Sequence, residues 1–379
     1  MKANPLTELG TLGQSIWLDY IRRDLIASGE LRRLIEDDGL RGMTSNPSIF
    51  EQAIAGSHDY DEDVRAMALE GKSVNAIYEA LSQRDVQSAA DEFRPLYDKT
   101  EGADGYVSLE VNPRLAHDTR GTMKEARRLW AALDRPNVLI KVPATAEGLP
   151  VIQQLIGEGI NVNVTLLFGI PRYRQVVEAY LAGLEARVMQ GKSVKIVASV
   201  ASFFVSRIDV LVDPLLERII AQGGEGADSA QLLHGQVAIA SAKAAYQIYK
   251  GIFDSARFRK LAEIGALTQR LLWASTSTKN PQHSDVKYVE ALIGRDTIDT
   301  VPVETLDDYR AHGKPEDRIE QEVVKAHWIL DRLPELGINI DEVTQQLEDE
   351  GVEKFGQSFR KLMEALEKVV KKQNLGMDK

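Results

Sequence analysis

Cysteine is absent from this chain of 379 residues, and its absence removes several kinds of chemistry at once. Without thiols there are no disulfides, no thiolate nucleophile and no cysteine-ligated zinc. A covalent mechanism would have to use serine, threonine, lysine or a carboxylate. The lack of disulfides agrees with a reducing compartment, and we expect a cytoplasmic protein.

Long apolar stretches are also missing. No run approaches the ~18 apolar residues of a membrane span, and the opening residues MKANPLTELG lack the layout of a signal peptide. Hydrophobic residues still make up 44% of the chain, which is enough to bury a large core. We therefore expect a globular protein with no membrane partner.

Positive charge is in short supply. The chain has 46 lysines and arginines against 57 acidic residues, for a formal net charge of −11. Nucleic acids and acidic membranes are bound by basic surfaces that displace counterions, so we expect neither as a partner. A small anionic substrate is compatible with this balance, because a few local cations suffice to bind it.

Phosphate-loop and metal-binding motifs fail as well. Two GKS triplets, at 71–73 and 191–193, lack the earlier glycine of a P-loop, and GGEGADS at 223–229 follows a helical segment rather than a strand. The histidines are at positions 58, 117, 234, 283, 312 and 327. They never recur at the spacing of helical metal ligands, so we predict no structural metal.

Short β-rich segments alternate with longer stretches of helical period, which is the pattern of βα units around a parallel sheet. The predicted strands are 15–21, 40–46, 106–112, 138–145, 161–168, 194–204, 270–278 and 297–306. Eight such units predict an α/β fold, a (β/α)8 barrel with additional N-terminal, inserted and C-terminal helices.

We expect residues 1–379 to form a single domain, with a core of about 15–306 and a helical extension over about 307–379. The extension contains an amphipathic stretch whose apolar residues share one face: Phe355, Phe359, Leu362, Leu366 and Val369. This pattern favours a helix packed on the barrel exterior or across one of its mouths over a helix that binds a partner.

The segment NVLIKVPAT, residues 137–145, places one lysine inside a predicted strand. Lys141 could carry its charge to solvent on its long apolar stem. Alternatively, a low-dielectric environment could lower its pKa so that the neutral amine attacks a carbonyl. The segment alone leaves both interpretations open.

Other polar residues also stand late in the predicted strands, where a parallel barrel places its chemistry. They are Asp19, Thr44, Asn46, Glu110, Asn112, Asn163, Thr165, Ser202, Ser275 and Ser277. Burying lone carboxylates is costly, yet here two carboxylates and one amine are directed to the same mouth, which favours a functional site over a set of unrelated structural contacts.

At these residues the sequence resembles the transaldolases. GMTSNPSIF (42–50) is similar to their Thr-Asn-Pro signature, and NVLIKVPATAEGL (137–149) to their Schiff-base lysine signature. SLEVNPRLA, NVNVTLLF and SFFVSRID follow in the same order at similar spacing, so the resemblance covers roughly residues 15–305. Length and tail suggest one of the longer bacterial members.

The resemblance implies a pentose-phosphate enzyme that moves a dihydroxyacetone unit from a ketose phosphate to an aldose phosphate, with Lys141 as the nucleophile. Glu110 and Thr165 would hold the water that relays protons, and Asp19 would take a proton as the carbon–carbon bond breaks. The implied mechanism needs no metal and no cofactor, because the protonated imine is the electron sink.

The resemblance also implies substrate contacts: Asn46, Asn163 and Ser202 on the three-carbon unit, Phe204 beside the catalytic water, and Arg207 on the phosphate. We also expect Ser275, at the end of strand seven, to bind substrate. Shorter transaldolases carry a second phosphate-binding arginine after strand seven. Here the chain reads WASTSTKNP, with Ser277 near that place and Lys279 two residues further on. Lys279 can supply charge but not a planar fork.

Three alternatives remain at the level of sequence. A fructose-6-phosphate aldolase-like enzyme would share the lysine and the barrel but release its product to water. A non-catalytic barrel that binds sugar phosphates would not need Lys141, Glu110 and Asp19 together. A pyridoxal-phosphate enzyme would need a Gly-rich phosphate cup, which the chain lacks. We expect a monomer or a homodimer.

Overall fold

The computed structural model describes residues 4–375, and over this range eight strands form one closed, all-parallel barrel in the order β1 to β8. The strands are β1 Gln14–Asp19, β2 Gly42–Thr44, β3 Tyr106–Glu110, β4 Val138–Pro143, β5 Val162–Leu167, β6 Ser199–Phe204, β7 Arg270–Ala274 and β8 Thr297–Val301. Each strand pairs in parallel with the next, and β8 closes on β1. The predicted (β/α)8 barrel is confirmed.

Helices surround the barrel. They are α1 Pro5–Thr11, α2 Arg23–Ala27, α3 Glu30–Asp37, α4 Pro47–Ala55, α5 Asp61–Leu69, α6 Val74–Lys99, α7 Thr119–Leu133, α8 Gly148–Glu158, α9 Ile170–Met189, α10 Ser206–Gln222, α11 Ala227–Leu233, α12 Val237–Phe253, α13 Ala256–Ala262, α14 Lys287–Ala291, α15 Val303–His312, α16 Val323–Arg332 and α17 Ile340–Leu375, with 3₁₀ turns at Pro113–Leu115 and Pro334–Leu336. The predicted additional helices are present before β1, between strands and after β8. None of the described helices is long and apolar enough to cross a membrane.

The predicted strands are all longer than the observed ones, and two bounds were clearly wrong. β6 begins at Ser199 and not at 194, because residues 194–196 form a bend and a turn with Ile196 exposed. β8 ends at Val301 and not at 306, because Pro302 breaks the ladder and stands at the N-cap of α15. Apolar composition alone does not distinguish these flanks from the strands.

Alternate side chains of each strand point into the barrel, as parallel barrels require. Trp17 of β1 is fully buried in the interior and occupies space that a side chain of β2 would otherwise take. A Cβ on Gly42 would lie 2.4 Å from the indole ring, so only glycine fits opposite Trp17. Trp17 therefore fills the middle of the barrel at this level, one layer below the polar side chains of the C-terminal mouth.

The last described helix, α17, packs against α4, α5, α6 and α10 on the C-terminal side of the barrel. Its apolar face is buried at Phe355, Phe359, Leu362 and Leu366. The Phe359 ring makes an edge contact with Tyr78 of α6, with 5.5 Å between centroids. The amphipathic stretch thus lies across the mouth that the strand ends open into.

Candidate active site

A cavity of about 230 Å³ opens at the C-terminal ends of the strands, beneath α17. Its lining is formed by Asp19, Thr44, Asn46, Ser48, Lys141, Thr165, Ser202, Phe204, Arg207, Ala274, Ser275, Ser277, Lys279, Thr300, Pro302 and Phe355. Most of the residues selected from the sequence are in this set, because they stand at equivalent heights on neighbouring strands. Glu110, Asn112 and Asn163 are not part of this lining, and the side chain of Asn112 instead accepts a hydrogen bond from the backbone amide of Arg114.

Lys141 lies on β4 in register with Glu110 of β3 and Asn163 of β5. Lys141 is only 4% exposed. The interpretation that it carries its charge out to solvent is therefore wrong. The amine Nζ donates to the backbone oxygen of Ser45 at 3.1 Å and lies 3.6 Å from Oε2 of Glu110. A buried amine with these two partners sits at the floor of the cavity.

Glu110 is a buried carboxyl in an environment that favours its neutral form. Burial raises the pKa of Glu110 to about 7. The positive charge of Lys141 lowers this pKa, and the nearby Asp19 raises it by a smaller amount. Neither of its carboxyl oxygens has a hydrogen-bond partner among the described residues, and the same holds for the buried hydroxyl of Thr165. Buried polar atoms of this kind require a partner from outside the protein, such as water or substrate.

Asp19 at the end of β1 faces the same cavity from the other side. It accepts a hydrogen bond from the hydroxyl of Thr44 at 2.7 Å, and that hydroxyl is also 2.8 Å from the hydroxyl of Thr300. Burial raises the pKa of Asp19, while Lys141 and the Thr44 hydrogen bond lower it. The site thus combines one amine with two carboxyl groups in different hydrogen-bonding environments.

Asn163 and Asn46 have structural partners of their own. Asn163 accepts from the Ser202 hydroxyl at 2.6 Å and donates to the Ser108 hydroxyl at 3.0 Å, so it orients Ser202 from behind the cavity wall. The side-chain oxygen of Asn46 accepts from the backbone amides of Ser48 and Ile49 and caps α4. This cap leaves the Asn46 amide NH₂ as the group that can serve a ligand.

Two cations stand at the rim. Arg207 lies in the first turn of α10, and Lys279 follows β7, where its amine donates to the Ser277 hydroxyl at 2.5 Å. Burial lowers the pKa of Lys279, and nearby Arg207 and Lys354 lower it further. Within the described part of the chain neither Arg207 nor Lys279 forms a salt bridge, so their charge is available to an anion.

The backbone bends sharply at two places beside the cavity. Ser275 has a φ of 57° and Leu166 a φ of 54°, in the left-handed region that non-glycine residues rarely adopt. The Ser275 carbonyl accepts from the amide of Ser206, and the two hydroxyls are 3.1 Å apart. Strained positions persist where surrounding contacts hold them, and this one ends β7 so that Ser277 and Lys279 reach the rim.

The cavity also has an apolar wall, part of which the sequence did not indicate. Phe204 packs on Phe168 with 5.1 Å between ring centroids, and Phe355 of α17 closes the opening. Phe355 was selected only as a member of an apolar helix face. The sequence also offered no indication of the lining residues Ser48 and Pro302, or of the Ser45 carbonyl that binds Lys141. No sequence motif marks a backbone oxygen that binds a side chain, or the position at which a distant helix packs.

These observations define a (β/α)8 protein with a buried amine, two carboxyl groups and two cations at its C-terminal mouth, the face where such barrels carry their active sites. Comparison with known proteins gives the family. The chain belongs to the transaldolase/fructose-6-phosphate aldolase family, whose model matches residues 16–366.

Relatives match along almost their whole length. A transaldolase of Trichodesmium erythraeum is 48% identical over 98% of this chain and 99% of its own. A transaldolase 2 of Nostoc sp. PCC 7120 is 46% identical over the same shares, and a transaldolase of Saccharopolyspora erythraea is 46% identical over 95% of this chain and 96% of its own. The resemblance inferred from the sequence motifs is confirmed.

Proposed function

We propose that this protein is a transaldolase that moves a dihydroxyacetone unit from a ketose phosphate, such as sedoheptulose 7-phosphate or fructose 6-phosphate, to an aldose phosphate through an imine on Lys141. The observation that carries the proposal is the amine of Lys141, 4% exposed and 3.6 Å from Glu110, on the floor of a cavity with Arg207 and Lys279 at its rim. The names of the relatives support the same activity.

The first step joins the neutral amine to the ketose carbonyl. Nitrogen attacks carbon, the carbonyl oxygen becomes a hydroxyl, and this hydroxyl leaves as water when the imine forms. Glu110 can donate and accept the protons of this step, because a pKa near 7 suits both directions at neutral pH. The unpaired hydroxyl of Thr165 is suited to hold the water that carries them.

The second step breaks the carbon–carbon bond. Asp19 takes the proton of the hydroxyl next to that bond, the hydroxyl carbon becomes an aldehyde, and the bonding electrons pass to the protonated imine, leaving an enamine on Lys141. The aldose phosphate departs. Addition of a second aldose to the enamine reverses these steps and returns the proton from Asp19.

Substrate binding divides between the two ends of the cavity. The Asn46 amide and the Ser202 hydroxyl offer hydrogen bonds near Lys141, where the three-carbon unit would lie. Arg207 offers a planar donor fork for a phosphate, and Lys279 adds a second charge. Ser275 and Ser277 line the path between these ends.

Acceptor dependence is the feature that separates a transaldolase from the aldolases of the same family. Phe204 presents a phenyl ring to the cavity and is held by Phe168. A phenyl ring has no proton to give to an enamine, so the three-carbon unit should persist until an aldose arrives. This wall favours transfer over hydrolytic release.

Borohydride reduction in the presence of fructose 6-phosphate, followed by peptide mass spectrometry, tests the proposal. A reduced dihydroxyacetone adduct is expected on the peptide that contains Lys141. Lys243 is the control, because it is also buried, at 6% exposure, but its amine is bound to the carbonyls of Arg318 and Gln321 away from the cavity. Absence of an adduct on Lys141, or equal labelling of Lys243, would contradict the imine.

A further inference from the structure

Two histidines that are far apart in the sequence meet an aspartate on the outside of the barrel. Asp213 comes from α10, His234 directly follows α11, and His283 lies between β7 and α14. One ligand atom of each residue lies within 4.8 Å of those of the other two. Spacing within single helices could not indicate this cluster, because each residue belongs to a different segment.

The ligand atoms of the cluster are not used up by other contacts. Nε2 of His283 is buried and has no hydrogen-bond partner among the described residues. Nε2 of His234 lies 3.1 Å from a carboxylate oxygen of Glu217, which can only accept, so in the neutral ring Nε2 carries the proton and Nδ1 keeps its lone pair. Oδ1 of Asp213 accepts from the Gly235 amide at 2.8 Å, and Oδ2 remains available.

The backbone of Gly235 packs directly beneath the histidines. A Cβ at this position would lie 2.8 Å from Nε2 of His283, and the residue has a φ of +67° that glycine adopts without strain. The glycine therefore lets the segment after His234 approach His283 closely. This approach brings the two imidazoles to one point.

The charges around the cluster are unbalanced. Asp209 and Asp213 are 2% and 9% exposed, and Glu217 lies one turn further along α10. Against these three carboxylates stands the ammonium of Lys287, whose Nζ donates to the Gly235 carbonyl at 2.5 Å and lies 3.7 Å from Asp209. Acidic side chains thus outnumber ammonium groups beside the cluster, and such surroundings favour a cation.

We propose that Asp213, His234 and His283 form a binding site for a divalent transition metal, with zinc as the best match. Two imidazole nitrogens and one carboxylate oxygen are a ligand set that zinc accepts, with water in the fourth position. Magnesium and calcium prefer oxygen ligands and fit this set poorly. The Glu217 carboxylate on the other nitrogen of His234 is the kind of partner that fixes a ligating imidazole.

The position of this site gives it a consequence for the cavity. Asp213 lies on α10, the helix whose first turn holds Arg207, and His283 lies on the segment that carries Lys279. A metal would therefore tie together the two elements that hold the phosphate-binding cations. It would stabilise the folded chain by mass action and restrict the 275–286 segment.

Metal binding can be tested without measuring activity. The full chain, stripped with a chelator, is titrated with Co²⁺ as a spectroscopic substitute for zinc, and the visible absorption of a four-coordinate site is followed. We expect one equivalent to bind to the wild type and the affinity to fall at least about tenfold in His283→Gln and in His234→Gln. Zn²⁺ should displace Co²⁺ and raise the melting temperature, whereas Mg²⁺ should not.

His312→Gln is the matched control, because His312 belongs to a second, exposed cluster with Asp285 and Asp308. It should bind Co²⁺ like the wild type. X-ray absorption of the wild-type zinc complex needs no variant and should show two imidazole ligands. No bound metal at one millimolar Co²⁺, binding lost in His312→Gln instead, or a zinc complex without two imidazoles would overturn the proposal.

Discussion

The Nζ of Lys141 lies 3.6 Å from Oε2 of Glu110, and the two side chains are only 5% and 3% exposed. Water cannot screen this pair as it screens pairs at the surface. The amine and the carboxyl group therefore face each other inside the protein, and each is a group that the proposed chemistry uses.

Lys141→Arg should abolish turnover. Arginine keeps the positive charge but cannot present a neutral amine, because its guanidinium stays protonated at every working pH. We expect kcat to fall at least about a thousandfold, which corresponds to about 4 kcal/mol. The steady-state rate of transfer from fructose 6-phosphate to erythrose 4-phosphate measures this fall in kcat. Lys243→Arg is the control. Activity within about tenfold of wild type would remove Lys141 from its role.

Stability should depend on pH through Glu110. Burial raises the pKa of Glu110 to about 7, above the ~4.3 of an unfolded chain. The folded state then binds the proton more tightly, so the contribution of Glu110 to stability is complete below pH ~4.3 and is lost as pH rises through 7. Glu110→Gln cannot ionise, and the free energy of unfolding of the wild type should fall relative to this variant between pH 5 and 8.

Urea unfolding of both proteins across this pH range measures that difference. Taking the difference cancels the titration of the groups that the two chains share. A difference that stays constant, or that grows in favour of the wild type as pH rises, would show that Glu110 is not a buried acid of raised pKa.

Asp19→Asn should separate imine formation from bond cleavage. The amine of Lys141 is retained, so the borohydride adduct should still form, whereas cleavage should slow by about a hundredfold or more without its base. Rapid-quench measurement of both steps distinguishes them. Asp299→Asn is the control, because Asp299 is another buried strand carboxyl but binds Thr276 and does not line the cavity. Loss of the adduct together with turnover would assign Asp19 to imine formation.

Arg207→Ala should raise KM for phosphorylated sugars far more than for unphosphorylated fructose. A charge-assisted bidentate contact is worth about 1.5–3 kcal/mol, which corresponds to about a ten- to hundredfold change. Lys279→Ala should raise KM for phosphorylated sugars more weakly, because an ammonium group lacks the planar, two-pronged donor set of a guanidinium. If both substrates suffer equally, these side chains support the fold and not the phosphate.

Phe204→Tyr should convert part of the transfer into release. The added hydroxyl can hydrogen-bond the catalytic water and protonate the enamine, so dihydroxyacetone should leave without an acceptor while transfer to erythrose 4-phosphate declines. Release of dihydroxyacetone with no aldose present is the measurement. Phe355→Tyr places a hydroxyl elsewhere in the same lining and should not have this effect. Equal release by wild type and Phe204→Tyr would locate acceptor dependence in another residue.

The sequence predicted the barrel and the order of its eight strands, because both follow from local pattern, but it placed most strand ends too far along the chain. The alternation of β-rich and helical segments can be recognised in each segment by itself. Because parallel strands bring their carboxyl ends to one face of a barrel, Asp19, Glu110, Lys141 and Thr165 could be assigned to one site from the sequence. Ser202 and Asn163 were also collected, although their mutual hydrogen bond depends on a register that only the fold defines.

What could not be predicted depends on contacts between distant segments. Phe355 reaches the cavity because α17 packs on α4 and α10, and nothing in its own surroundings in the sequence specifies that position. The end of β7 is set by the left-handed turn at Ser275, a residue type that does not usually mark such turns. His234 and His283 meet only because α10, α11 and the segment after β7 converge.

The contribution of α17 to the cavity also has a consequence for the order of events during synthesis. Every strand of the barrel precedes residue 302, so the sheet can close while the distal part of the chain is still being translated. Phe355 arrives later, and its ring is part of the enclosure around Lys141. A growing chain that ends before α17 would therefore have a cavity that is more open above Lys141 than the cavity of the folded protein.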